Sequence, residues 1–168
     1  MESEYKDLFK KYKMGTTIFS PLKCGVLTGK YINEIPEDSR MNSKNERTKN
    51  MMERNDYWKN KKEYDNKLNQ LKNIAENKLN CTLGQLAIAW VIANPDVSCC
   101  LIGATKGNQI EENVKALEVY KKLDKELCIE IEKILDNVPE GEIDYRDWKE
   151  LPSRRNIAMG IDYIKSNQ

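Results

Sequence analysis

Histidine is absent from this 168-residue chain, and the gap removes whole classes of chemistry. Without an imidazole there is no Ser-His-Asp or Cys-His nucleophile system. There is also no histidine-ligated metal and no histidine acid or base at neutral pH. Long apolar runs are missing too: no stretch approaches the roughly 20 residues of a membrane-spanning helix. Met1 to Lys13 carries charge from its start, unlike a secretory leader. The five cysteines, Cys24, Cys81, Cys99, Cys100 and Cys128, form no C-x-x-C pair and are odd in number. Cys99 and Cys100 are adjacent in an extended run, so their side chains point apart and do not bridge each other. The cysteines read as small buried hydrophobes in a reducing compartment, without zinc, and the chain reads as cytoplasmic.

Charge of one sign is lacking as well. The 28 basic residues are offset by 27 acidic ones, a net charge of +1, and no basic stripe interleaved with aromatics marks a nucleic-acid face. With 39% hydrophobic residues the chain has material for a core beneath a heavily solvated surface.

Along the chain, Tyr5, Leu8, Phe9 and Tyr12 recur at helical spacing and predict an amphipathic helix over residues 2–12. Gly15 ends it, and Thr16-Thr17-Ile18-Phe19 reads as a short buried strand that stops before Pro21. A long Gly- and Pro-punctuated loop runs from Lys23 to Arg40. The polar stretch from Met41 to Lys62 is expected to be disordered in its early part. Tyr64, Leu68, Leu71 and Ala75 mark one face of a helix. Thr82 reads as the N-cap of the next, which carries Leu83, Leu86, Ala87, Trp90 and Val91 and stops at Asn94 before Pro95. The apolar run Val97 to Ile102, closed by Gly103, predicts a parallel strand buried on both faces. A helix over about 108–119 follows, then one capped by Asp124 with Leu127, Ile131, Ile134 and Leu135 on its apolar side. Tyr145 and Trp148 are expected to dock on the domain, and residues 151–168 read as a tail. Two parallel strands with several helices form an α/β pattern whose edges need further strands.

Gly25, Gly29 and Lys30 look at first like a phosphate loop. Only three residues separate the glycines, though, and Tyr31 stands where Ser or Thr would hold magnesium. A nucleoside triphosphatase is excluded.

A different set of motifs carries more weight. Phe19-Ser20-Pro21-Leu22-Lys23-Cys24-Gly25 continues to Gly29-Lys30-Tyr31 and Ile35-Pro36, then to Ser39-Arg40. Gly103-Ala104-Thr105 is followed by Gln109 and by Glu112-Asn113. Cys81-Thr82-Leu83 leads into Gln85-Leu86-Ala87-Ile88-Ala89-Trp90. In order and spacing the set resembles the NADP-binding elements of aldo-keto reductases, over about residues 3–150, and its wording is nearest the potassium-channel β-subunit branch. The resemblance implies the C-terminal portion of a (β/α)8 TIM barrel over residues 1–150, supplying its last two strands and their helices. Such barrels need about 250 residues and place their sites at the C-terminal strand ends.

The resemblance also implies roles. Phe19 stands where the family has an aromatic near the nicotinamide, a position that is Trp in the β-subunits. Ser20, Pro21, Leu22 and Cys24 lie in the loop that tracks the pyrophosphate, largely through backbone N–H groups. Lys30 and Arg40 match positions that meet the adenosine 2′-phosphate and would favour NADP(H). Gly103, Thr105 and Gln109 open the last barrel helix, whose N-terminus suits a phosphate. Glu112 and Asn113 match residues that bond the adenine, and Asp38 replaces a family tyrosine. The family's catalytic tyrosine, with its Lys, Asp and His or Asn, belongs to the other half of the barrel, and no tyrosine here matches it. No Tyr-Lys-carboxylate grouping stands out in the sequence, and no catalytic residue is expected.

Three roles follow from this resemblance. The chain is the cofactor-holding segment of an NADP-dependent aldehyde or ketone reductase with a small carbonyl substrate. Alternatively it belongs to a β-subunit that docks on a potassium channel α-subunit and senses NADPH redox state. In the third role it is a non-catalytic interaction module. Open strand edges predict a homo-oligomer or self-association.

Overall fold

In the computed structural model the described residues are 5–43 and 45–138. Residues 8–138 form one compact unit. Tyr145, Trp148 and the 151–168 tail therefore lie outside the described residues.

Helix α1 (Lys6–Tyr12) leads through Gly15 into strand β1 (Thr16–Phe19), and β2 (Val97–Leu101) pairs with it in parallel. The register skips Ser98: Thr16 faces Val97, and Thr17 faces Cys99. This bulge explains Gly15, because a Cβ built there would sit 1.7 Å from the Ser98 hydroxyl oxygen. The strand entry is fixed by Thr16, whose backbone N–H and hydroxyl both donate to the Asp96 carbonyl at 2.7 and 2.8 Å.

Strand β2 is not buried on both faces as the sequence predicts, and β1, expected to be buried, is only half-buried on one side. In β1, Thr16 and Ile18 are half-buried while Thr17 and Phe19 are exposed, and Leu101 of β2 is exposed too. The reason lies in what covers the sheet. Helix α5 (Leu83–Ala93) packs on β2, and among the described residues no other element makes extensive contact with either strand. The cysteines are also less buried than expected. All five are free, Cys99 is exposed, and the other four are only half-buried.

The core lies on the helical side. Helix α5 is central, packing against α7 (Ala116–Tyr120), α4 (Lys61–Asn77), β2 and the 3₁₀ turn at Lys23–Thr28. Its start is closed by a reciprocal cap. The Thr82 hydroxyl accepts from the Gln85 N–H at 3.2 Å, and the Gln85 side-chain carbonyl accepts from the Thr82 N–H at 3.0 Å. Helix α8 (Lys125–Leu135) is capped by Asp124, which accepts from Leu127 N–H at 2.8 Å, and it buries Leu127 and Ile131 against α4. The single helix predicted over 108–119 is two, α6 (Gly107–Val114) and α7, separated at Lys115.

The Met41–Lys62 stretch is the largest departure from the sequence reading. Instead of disorder it holds a 3₁₀ turn at Arg40–Asn42, then α2 (Glu46–Arg54) and α3 (Asp56–Lys59). Asn45 and Asn55 cap the two helices by accepting from Thr48 N–H at 2.8 Å and Tyr57 N–H at 3.0 Å. A few anchors suffice: Met41 and Tyr57 are buried, and Met51, Met52 and Trp58 pack against the core. Composition averaged over the segment hides these side chains.

Candidate functional site

Because β1 and β2 are parallel, the chain leaves both at the same end of the sheet. The Ser20–Gly29 loop and the Ile102–Lys106 link emerge side by side. The first is held in an unusual conformation: Ser20, Lys23, Cys24 and Gly25 all have positive φ, at 55, 46, 58 and 94°. For the three non-glycine residues this costs roughly 1 kcal/mol or more each, and such strain concentrates at ligand clamps. Local hydrogen bonds hold it. Lys23 N–H donates to the Ser20 carbonyl at 2.9 Å, Gly25 N–H to Leu22 at 2.8 Å, and the Tyr31 hydroxyl to the Cys24 carbonyl at 3.3 Å.

Between the loop, the link and the Pro36–Arg40 turn lies a cavity of about 1010 Å³. Ten of the twelve residues singled out from the sequence line it: Ser20, Pro21, Leu22, Cys24, Lys30 and Arg40 from the first stretch, and Gly103, Thr105, Gln109 and Asn113 from the second. Two do not. Phe19 ends β1 and is 78% exposed. Glu112 faces α5 and Lys115: Gln85 donates to its backbone carbonyl at 2.9 Å and to its carboxylate at 3.1 Å, and Lys115 pairs with that carboxylate.

The wall also holds residues the sequence reading did not single out for binding, notably Asp38, Ser39 and Lys106. Lys106 directly follows Gly103-Ala104-Thr105, and a search for cations beside that motif would have found it. Among the described lining residues three cations, Lys30, Arg40 and Lys106, stand against one carboxylate, Asp38. That balance favours an anionic ligand.

Three further details bear on whether a phosphate-bearing cofactor fits. Gly25 has no Cβ where one would lie 2.7 Å from the Lys30 side chain, so the lysine folds in over the loop, its ammonium 5.0 Å from the Tyr31 ring centre. The Ser39 hydroxyl is buried in the wall without a hydrogen-bond partner among the described residues. At the start of α6, Thr105 does not cap the helix. The Gln109 side-chain carbonyl instead turns back to accept from the N–H groups of Thr105 and Lys106, at 2.9 and 3.3 Å. An incoming phosphate competes with that side chain for those amides. The residues fit a phosphate-bearing ligand, for which the Gln109 side chain would have to yield.

A Tyr-Lys-carboxylate grouping that the sequence did not reveal lies outside the cavity. Tyr57 is 0% exposed; its hydroxyl lies 2.7 Å from Asp65 and 3.1 Å from the Tyr31 carbonyl. Lys61 pairs closely with Asp65 and donates to the Ile32 carbonyl at 2.7 Å. Burial, then the hydrogen bond to Asp65, raises the Tyr57 pKa far above its ordinary value. A tyrosine that protonates a substrate needs the opposite shift. The trio is a structural clamp on the Tyr31–Ile32 backbone, and so it fixes where Lys30 is held.

Comparison with known proteins agrees with this geometry. The sequence model of the aldo/keto reductase family matches residues 1–136. A rice (Oryza sativa subsp. japonica) protein described as a probable voltage-gated potassium channel subunit beta is 44% identical over 150 residues, 87% of this chain. The chain spans 43% of that relative's length. Two parallel strands with their helices match a sector of the (β/α)8 barrel, and this chain belongs to the aldo/keto reductase family.

Proposed function

We propose that the chain holds NADP(H) by its phosphates and adenosine, as a redox-sensing segment of a protein of the potassium channel β-subunit kind. One observation carries the reading: residues 20–40 and 103–113, far apart in sequence, converge on a single cavity whose charged side chains are mostly cationic. Lys30 and Arg40 would take the 2′-phosphate, the Ser20–Cys24 backbone the pyrophosphate, and Asn113 the adenine side. The likeness to the rice protein supports the β-subunit assignment and, with it, a channel α-subunit as partner.

Fluorescence titration tests the reading. NADPH should bind with Kd below about 0.1 mM, equivalent to roughly 5.5 kcal/mol. The preference for the 2′-phosphorylated cofactor should disappear when Lys30→Ala and Arg40→Ala are combined. An unchanged preference in the double variant removes those two residues from the site.

Family membership favours a second reading, in which the complete protein reduces an aldehyde or ketone. NADPH, when bound, supplies the hydride. The carbonyl oxygen then needs a proton, and Tyr57, which among the described residues is the tyrosine grouped with a lysine and a carboxylate, does not line the cavity. The 168-residue chain by itself is therefore expected to show no carbonyl reductase activity, and measurable NADPH-dependent reduction would overturn that.

A further inference from the structure

Asp38 and Lys106 are 68 residues apart and belong to two separate stretches of the cavity's lining, yet the Lys106 ammonium lies 3.3 Å from the Asp38 carboxylate. Both side chains are well exposed, at 76 and 64%, so the pair stands in the cavity's mouth and not in its floor. Its two mounts are braced. The Asp38 turn is closed by Ser39 N–H to the Pro36 carbonyl at 3.0 Å and by the Asn42 side-chain amide to the Glu37 carbonyl at 3.0 Å. Lys106 sits where α6 begins, its N–H held by Gln109.

We propose that Asp38 and Lys106 form an exchangeable clasp, in which Asp38 occupies the lysine until a phosphate-bearing ligand displaces it. The inference rests on the cofactor reading above and adds a specificity-determining residue to it. Each alternative partner of Lys106 is an anion, so the ligand gains an ammonium contact only by giving up the Asp38–Lys106 attraction. It must also approach the Asp38 charge that is thereby released. Exposed pairs in water are weak, which makes the exchange easy and its effect modest, about fivefold in affinity. NADPH, the more highly charged cofactor, should feel it more than NADH.

The test is calorimetric titration of the full chain and its variants with NADPH, NADH and inorganic pyrophosphate. Asp38→Asn should tighten NADPH and pyrophosphate about fivefold and NADH less. Lys106→Ala should weaken all three and clearly shrink the gain from Asp38→Asn in the double variant, leaving only the part due to lost repulsion. A gain of undiminished size without Lys106 overturns the clasp, because it then reflects only removal of a repelling charge. Unaltered affinity in Asp38→Asn, or no binding of any probe, overturns it as well. NADPH binding that ignores Asp38 leaves the cofactor reading standing and the clasp refuted. Pyrophosphate binding with the predicted pattern, but without dinucleotide binding, leaves the clasp standing and the cofactor reading refuted.

Discussion

Replacing Tyr57 with Phe isolates the clamp beneath the cavity. The ring is fully buried, edge-on to Trp58 at 4.8 Å and to Tyr64 at 6.2 Å, and Phe keeps all of that packing. Only the hydroxyl is lost. It has one proton and two acceptors in range, and the Asp65 carboxylate at 2.7 Å takes precedence over the Tyr31 carbonyl at 3.1 Å. A hydrogen bond to a charged group contributes about 1.5–3 kcal/mol. Asp65 retains Lys61, so a loss near 2 kcal/mol is expected. Urea unfolding followed by tryptophan fluorescence measures it, with Trp58 beside the mutated ring as a local reporter. A double-mutant cycle with Asp65→Asn should return a coupling of at least about 1 kcal/mol. The clamp also has a pH signature. The Tyr57 pKa is raised from 10.0 in the fold, so the folded state keeps a proton that the unfolded chain releases. Its contribution is therefore complete below pH 10 and declines as pH rises above it. Tyr57→Phe should remove that part of the alkaline decline. A variant within about 0.5 kcal/mol of the parent, with an unchanged alkaline profile, refutes the reasoning.

Other expectations follow from neighbouring contacts. Thr82→Ala should cost about 1 kcal/mol through the lost cap. Gln85→Ala should cost more, since it also severs the two bonds to Glu112, and equal losses in urea unfolding would deny Gln85 its bridging role. Gly25→Ala should cost roughly 1 kcal/mol, because φ is +94° there, and should weaken NADPH binding by pushing Lys30 off the loop. Unchanged affinity would count against Lys30 as a ligand contact. Exposed Phe19 and Leu101 should drive association, so sedimentation velocity should show less of it for the Phe19→Ser, Leu101→Ser double variant; a monomeric parent chain would contradict this.

Thr82 and Asp124 were legible as caps, and α4, α5 and α8 as helices. Their hydrogen bonds close over three or four residues, and their apolar faces repeat at helical spacing. The motifs flanking β1 and β2 pointed to a shared site because parallel strands deliver their C-terminal ends together. The α2–α3 region was not legible. Its order rests on Met41, Thr48 and Tyr57, isolated anchors in a polar stretch whose partners lie elsewhere in the chain.

By itself, then, the sequence determined the α/β order, the family and most of the cavity's lining. The tertiary structure decided how those side chains are already engaged. It turned Glu112 toward Gln85 and Lys115, bent Gln109 back over its own helix start, and set Lys106 against Asp38 across 68 residues. Spacing along a chain records local bonds and periodicity. The partner of a long, charged side chain depends instead on where the fold delivers a distant backbone, and only the packed strands and helices fix that.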